Sequence, residues 1–235
     1  MNRVFAPIRA GFVRLMRDRA AVAMTEFALT LPFLLGLGLM GMETANRALI
    51  QMQISQLAVH VADNASRIGD RSILEDTKIY ERQINDLFYG AEIQAGSGLG
   101  LYEHGRVILS SLEVVPDTED QQYIHWQRCL GSKRHTSSYG EEGDGLTGTD
   151  FPGMGPAGEE VLAFPREAVM FVEVVYDYQP IIGAPFTYDE DTVSAIASFT
   201  VRDARDLSRI YQRDPGDPDP VASCDTYGGS PYSTL

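Results

Sequence analysis

One acidic residue lies inside the most apolar segment of the chain. Residues 20–42 contain Glu26 as their only charged side chain, with Phe27 directly after it and Pro32 further along the same run. A carboxylate in the hydrocarbon of a bilayer costs several kcal/mol at the centre and less near an edge. Glu26 therefore either pairs with a neighbouring group inside the membrane, or reaches the interface and only marks the start of a helix. Residue types and spacing leave both interpretations open.

The segment around Glu26 is long enough to span a bilayer. Its length as a helix would be about 34 Å, against about 30 Å of hydrocarbon. Five of the chain's 19 basic residues, but one of its 33 acidic residues, lie within residues 1–19. Positively charged flanks stay in the cytoplasm, so we expect residues 1–19 inside and residues 45–235 exported. The alternative is a cleaved signal peptide with residues 27–42 as its apolar core, but the length of the run and its carboxylate favour a permanent anchor.

Helical periodicity continues beyond the apolar segment. Apolar residues recur at about helical spacing through residues 43–68, without proline, and Gly69 follows as a natural helix end. One helix is therefore predicted over residues 20–68, and a second over residues 72–89, ending at Gly90. Alternating and β-branched residues then predict four strands, at residues 106–115, 123–129, 167–178 and 192–202. The predicted fold class is α+β, in which a long N-terminal transmembrane helix continues into a stalk and is followed by a small antiparallel sheet packed on helical segments.

These elements divide the chain into five parts. They are a basic cytoplasmic leader or tail (residues 1–19), a transmembrane helix (20–42), a helical stalk (43–69), an exported α+β domain (70–210) and an irregular tail rich in proline and glycine (211–235). The net charge of the whole chain is -14. Because phosphate contacts need Lys and Arg, we expect no nucleic-acid partner.

The exported part offers few residues in a catalytic or metal-binding pattern. Its histidines lack the spacing of metal ligands, and no nucleophile or phosphate-binding motif is present, so we expect a protein that is not an enzyme and has no cofactor or metal. An acidic loop could bind Ca²⁺, but it lacks the ligand order of an EF-hand, which favours a solvated loop. Its acids are Glu141, Glu142, Asp144 and Asp150. Cys129 and Cys224 are the only cysteines, and they can form a disulfide if the body reaches an oxidising compartment.

The first 50 residues resemble a known family. A basic segment, a stretch of small residues, the pattern E-F-A-L-x-L-P and a run of Leu and Gly are similar to the N-terminal segment of TadE/TadG-type proteins of the tight-adherence (Tad, or Flp) pilus. The matching residues are Arg17, Arg19, Glu26, Phe27, Ala28, Leu29, Leu31 and Pro32. Looser similarity to the bodies of such proteins continues through ADNASRIG, GRVILSSLE, WQRC and VEVVYDYQPIIG.

This resemblance implies a minor pilin-like protein (a pseudopilin) or a pilus-assembly protein in the bacterial inner membrane. Its partners would be the lipid bilayer, other pilus subunits and a prepilin peptidase. The family pattern places peptidase cleavage between Ala21 and Val22, with Ala21 where the family usually has Gly. Glu26 would then be the fifth residue of the mature chain and could pair with the new α-amino group of a neighbouring subunit, within a helix-pairing segment that includes Phe27 and Pro32. The alternative is a single-span anchored exported domain that binds a cell-envelope partner and never joins a pilus.

Overall fold

The structure is a computed structural model that describes residues 19–70, 75–148, 151–183 and 191–228, with side chains in the first helix from Val22 onward. The chain divides into two compact units. The first comprises residues 1–47 together with 180–187, and the second comprises residues 48–179 together with 188–235.

The first helix, α1, runs without a break over Arg19–Ala65, so the predicted long helix is present. Beyond Ala65 the helical turn tightens: the Ser66 amide still donates to the Ala62 carbonyl, and the Arg67 amide donates to the nearer carbonyl of Asn64. The guanidinium of Arg205 donates to the carbonyl oxygens of Ala65 at 3.3 Å and Ile68 at 2.8 Å, which are acceptors that the helix end leaves unpaired.

Four antiparallel strands form one sheet in the second unit. They are β1 (Gly105–Val114), β2 (Gln122–Leu130), β3 (Ala168–Asp177) and β4 (Thr192–Thr200), in the spatial order β2-β1-β3-β4. An irregularity between Ser111 and Leu112 shifts the register between β1 and β2. The α+β fold class expected from the sequence is confirmed, and each strand lies within two residues of its predicted bounds.

One face of the sheet packs on helices. The core there combines residues of the second part of α1 with residues of helix α2 (Glu81–Ala95) and alternate strand residues. Ile54, Ala58 and Ala62 of α1 are completely buried. The predicted stalk is therefore, over its C-terminal half, a core element of the body. Burying these side chains contributes far more than intrinsic helix propensity could.

The opposite face of the sheet is covered by the long connection between β2 and β3. Met154 is completely buried there, in a cluster with Leu112, Ile124 and Phe171. A short helix, α3 (Leu101–His104), leads directly into β1. The described part of the tail, residues 211–228, contains no helix or extended strand.

The second predicted helix differs from the structure. Residues 75–80 are not helical, so the helix begins at Glu81, and it continues through Gly90 to Ala95; the predicted residues 72–74 lie outside the described residues. Thr77 and Tyr80, just before the helix, form bridges to Arg205 and to Tyr211 at the start of the tail, and these bridges hold them out of a helical conformation. Gly90 lies on an open helix surface, where an added side-chain carbon would meet no atom within 4 Å, so the helix continues through it. Gly96 ends the helix with a φ of 75°.

Candidate functional site: the exposed half of α1 and the chemistry of the body

The first part of α1 leaves its apolar side chains uncovered. Phe33 is 75% exposed, and Leu29 and Leu37 are each 70% exposed. The described chain has one helix that is long and apolar enough to cross a membrane, with a mean hydropathy of 1.7 and none of the most apolar window buried. A helix that is apolar on all sides and uncovered by its own protein is typical of a membrane span.

Glu26 lies on this exposed surface. No described residue forms an ion pair or hydrogen bond with its side chain. The backbone around it is tied internally, because the Thr30 hydroxyl donates to the carbonyl oxygens of Glu26 at 2.9 Å and Phe27 at 3.2 Å. Pro32 lies inside the helix and removes one backbone donor. Phe27 is 56% exposed. The structure thus places Glu26, Phe27 and Pro32 on one helix with their surfaces available to a neighbour.

The predicted cleavage position lies in the same helix. Ala21 and Val22 both have helical backbone within α1, but the Ala21 side chain lies outside the described side chains. Cleavage between these two residues stays a prediction.

Glu43, the first acid after the apolar segment, was not singled out by sequence reasoning. It is only 7% exposed. One of its carboxylate oxygens accepts a hydrogen bond from the Ile182 backbone amide at 3.0 Å, within the first unit of the chain. The only sequence signal was a charged residue at the end of the apolar segment, and a charge in that position is ordinarily solvated.

In the body, a disulfide joins Cys129 of β2 to Cys224 of the tail, with their Cα atoms 4.7 Å apart. The amide of Cys129 also donates to the Ala222 carbonyl at 2.8 Å. Arg106, fully buried on β1, donates to three carbonyl oxygens at 2.5–3.1 Å, those of Gly131, Cys224 and Thr226. Covalent and charge-assisted contacts thus hold the tail on the sheet.

A cleft of about 520 Å³ lies beside this disulfide. Its acidic wall is engaged within the protein: Glu142 accepts from the Gln127 amide at 2.9 Å and from Arg128 at 3.3 Å. Asp144 accepts from the amide of Glu141 at 2.8 Å and so closes a turn of the acidic loop. Asp150 of this loop lies outside the described residues. Among those that are described, no group of three or more His, Cys, Asp or Glu side chains is arranged to hold a metal ion.

A serine, a histidine and a glutamate meet on the loop-covered face of the sheet. Glu173 accepts from His135 Nε2 at 3.0 Å and from the Ser138 hydroxyl at 2.8 Å and amide at 3.0 Å. In an acyl-transfer triad the imidazole lies between the hydroxyl and the acid and uses a different nitrogen for each. Here one nitrogen faces both groups, and the acid binds the hydroxyl directly. This geometry fastens the loop to β3 rather than activating the serine.

Another buried carboxylate of the sheet, Glu113, lies near the helix-covered face. It accepts from the Ser111 hydroxyl at 2.7 Å and contacts His125 Nδ1 at 3.0 Å. The hydrogen bond to Glu113 raises the pKa of His125, although burial opposes the shift. Burial, together with Glu113, raises the pKa of Tyr123 to about 12. Burial also lowers the pKa of Arg205 to about 10, against the attraction of Glu113.

Comparison with protein-family models, curated proteins and solved structures found no match to this chain.

The sequence located the exposed apolar segment and its acid but not the buried charges of the body. Glu113, Glu173 and Arg106 are isolated charged residues in otherwise mainly apolar strands, and nothing adjacent to them in the sequence shows what covers them. Their burial depends on loops that close over the sheet from distant parts of the chain. No local pattern reports such a cover.

Proposed function

We propose that this protein is a minor pilin-like or assembly protein of a Tad/Flp-type pilus, held in the bacterial inner membrane by α1 with its body exported. The observation that supports this most is one unbroken helix that is uncovered and apolar in its first part and buried in the core of the body in its last part. This role is structural rather than enzymatic.

Glu26 is the residue that sets helix pairing in this proposal. Its side chain is uncovered in a segment suited to lipid, where an unpaired carboxylate is costly. A cationic group on a neighbouring subunit, such as the α-amino group that cleavage between Ala21 and Val22 would release, would remove that cost. The pair would also fix the axial register between two helices.

Glu26→Ala tests this pairing. We expect the variant to insert at normal abundance but to reduce pilus assembly strongly, because removing one partner of a buried pair commonly costs about 3 kcal/mol or more. Leu29→Ala is the matched control, since it truncates an exposed side chain in the same helix. Membrane abundance and piliation must be scored separately. Normal piliation of Glu26→Ala alongside normal abundance would remove the pairing mechanism.

The orientation is tested independently of the pilus. A reporter that is active only after export, fused after Leu235, should be active, because the arginines precede the apolar segment. Activity restricted to a cytoplasmic reporter at that position would overturn the orientation.

The second candidate function is a membrane-anchored exported binding domain. The observation that favours it is the cleft of about 520 Å³ beside the disulfide, which is of a size that small ligands occupy. In that case substitutions of the residues that line the cleft would abolish ligand binding by the exported domain, while Glu26→Ala would leave that binding intact. The paired results of the two experiments separate these functions.

A further inference from the structure

The loop that follows β3 begins against the end of the apolar helical segment. Residues 180–183 belong to the same compact unit as residues 1–47 of the chain. The Ile182 amide donates to the Glu43 carboxylate at 3.0 Å, and that carboxylate belongs to a residue only 7% exposed. Hydrogen bonds to a charged acceptor are among the stronger ones in proteins, so this contact fixes the height of the loop along α1.

That height is set by the helix. Glu43 directly follows Met42, the last residue of the apolar run, and each helical residue rises about 1.5 Å. Leu39 and Met42, within about one turn of Glu43, are 39% and 57% exposed. If residues 20–42 span a bilayer, as the proposed function requires, the Ile182 backbone lies where hydrocarbon gives way to lipid headgroups.

The surface of the loop at this height is apolar. Ile181 is 63% exposed, and Pro180 and Gly183 are also exposed. The sequence from 180 to 188 has no charged residue. Exposed aliphatic side chains without neighbouring charges favour the boundary between headgroups and acyl chains.

We propose that residues 180–183 form a second membrane contact, in which Ile181 enters the interfacial layer of the same bilayer that α1 spans. The partner is the lipid surface itself. Glu43 is the positioning residue, because its carboxylate holds the loop at the interface. The inference rests on the proposed membrane span, and it adds a contact made by a part of the chain 139 residues away in sequence from Glu43.

Depth-dependent fluorescence quenching tests the contact in the full-length protein. Single variants Ile181→Cys and Leu39→Cys carry an environment-sensitive label, and the disulfide-bonded Cys129 and Cys224 remain unlabelled. The proteins are reconstituted into phosphatidylcholine vesicles containing lipids with a nitroxide either near the headgroup or deep in the acyl chain. We expect quenching of the Ile181 label mainly by the shallow nitroxide, with a blue-shifted emission.

The Leu39 label separates the two claims. Quenching at Leu39 without quenching at Ile181 would overturn the loop contact and leave the membrane span standing. Absence of quenching at both positions would overturn the span and the inference together. An Ile181 label shielded from water but not quenched by either lipid would assign the loop to a protein partner and would also overturn the proposal.

Substitution of Glu43 tests the positioning role. Glu43→Ala removes the acceptor of the Ile182 amide, so the shallow quenching at Ile181 should fall while that at Leu39 stays unchanged. Glu43→Gln keeps a carbonyl acceptor at the same place and should retain most of the quenching. Equal quenching at Ile181 in Glu43→Ala and in the parent protein would show that Glu43 does not position the loop.

Discussion

The disulfide between Cys129 and Cys224 should contribute a large part of the stability of the body. It closes a loop between residues 95 positions apart. In the chain-entropy model a loop of this length removes about 4.5 kcal/mol from the unfolded state at 25 °C. Since whole domains have a free energy of unfolding of about 5–15 kcal/mol, losing this link should leave the body marginally stable.

The native state should change little when the link is removed. The tail keeps its hydrogen bonds from Arg106 and from the Cys129 amide, and Gly131 still donates to the Gly228 carbonyl at 3.1 Å. The loss therefore arises mainly in the unfolded state. Replacing both cysteines by alanine suits the test, because Cys129 is only 2% exposed and serine would bury a polar atom there.

The measurement is urea unfolding of the full-length protein in detergent micelles, followed by fluorescence. Trp126 is the only tryptophan and is 6% exposed in the core, so its emission reports the body. We expect Cys129→Ala/Cys224→Ala to lower the free energy of unfolding by about 4 kcal/mol. The dependence of that free energy on urea should steepen, because an uncrosslinked unfolded chain exposes more surface. Reduction of the parent protein provides the matched control.

Two results would refute this reasoning. A decrease below about 1 kcal/mol would mean that the crosslink does not constrain the unfolded chain as the entropy model requires. Two free thiols in denatured, unreduced protein from the exported compartment would mean that the bond does not form there at all.

Two further predictions concern the same body. His125→Gln should destabilise the protein most below about pH 6.5, the ordinary pKa of histidine, because Glu113 raises the pKa of His125 in the folded state. The loss of stability should disappear as the pH rises through that raised pKa. Urea unfolding at a series of pH values measures it, and a loss that does not depend on pH would contradict the prediction. Gly131→Ala should cost roughly 2 kcal/mol or more, because the φ of Gly131 is +126° and a side-chain carbon would clash with the Gly105 carbonyl. Gly143→Ala, at a φ of +94° with open space around it, should cost about 1 kcal/mol, and equal thermal shifts for the two variants would contradict the clash.

The elements of this fold were predictable where a local pattern decides them. Alternating and β-branched residues located all four strands, and the long apolar run followed by helical spacing without proline over residues 43–68 located α1. The start of α2 was not predictable in this way, because Thr77 and Tyr80 are held extended by bridges to Arg205 and Tyr211, far along the chain. Tertiary pairing overrides local helix propensity at this point.

The apolar face of α1 was only partly predictable for a related reason. Leu57, Val61 and Ala65 are buried as their spacing suggested, but Leu49 and Met52 are 55% and 50% exposed. Apolar residues on a helix indicate only that the helix avoids water at those positions, whether it contacts its own body, lipid or another protein. The pattern does not say which partner covers which residue. That assignment required the position of the sheet.

Three buried charges of the body share one task, which separates them from Glu26 on the exposed apolar part of α1. Glu173 fastens the loop after β2, Arg106 the tail, and Arg205 the end of α1. Each carries its charge into the interior and makes hydrogen bonds there that tie an irregular segment to the sheet or helix. Glu26 has no such contacts from the described part of its own chain, and in the proposed membrane span its surroundings would be the least tolerant of charge. The physical expectation is that its counterpart comes from another molecule, which is why helix pairing in the membrane is the function that we test first.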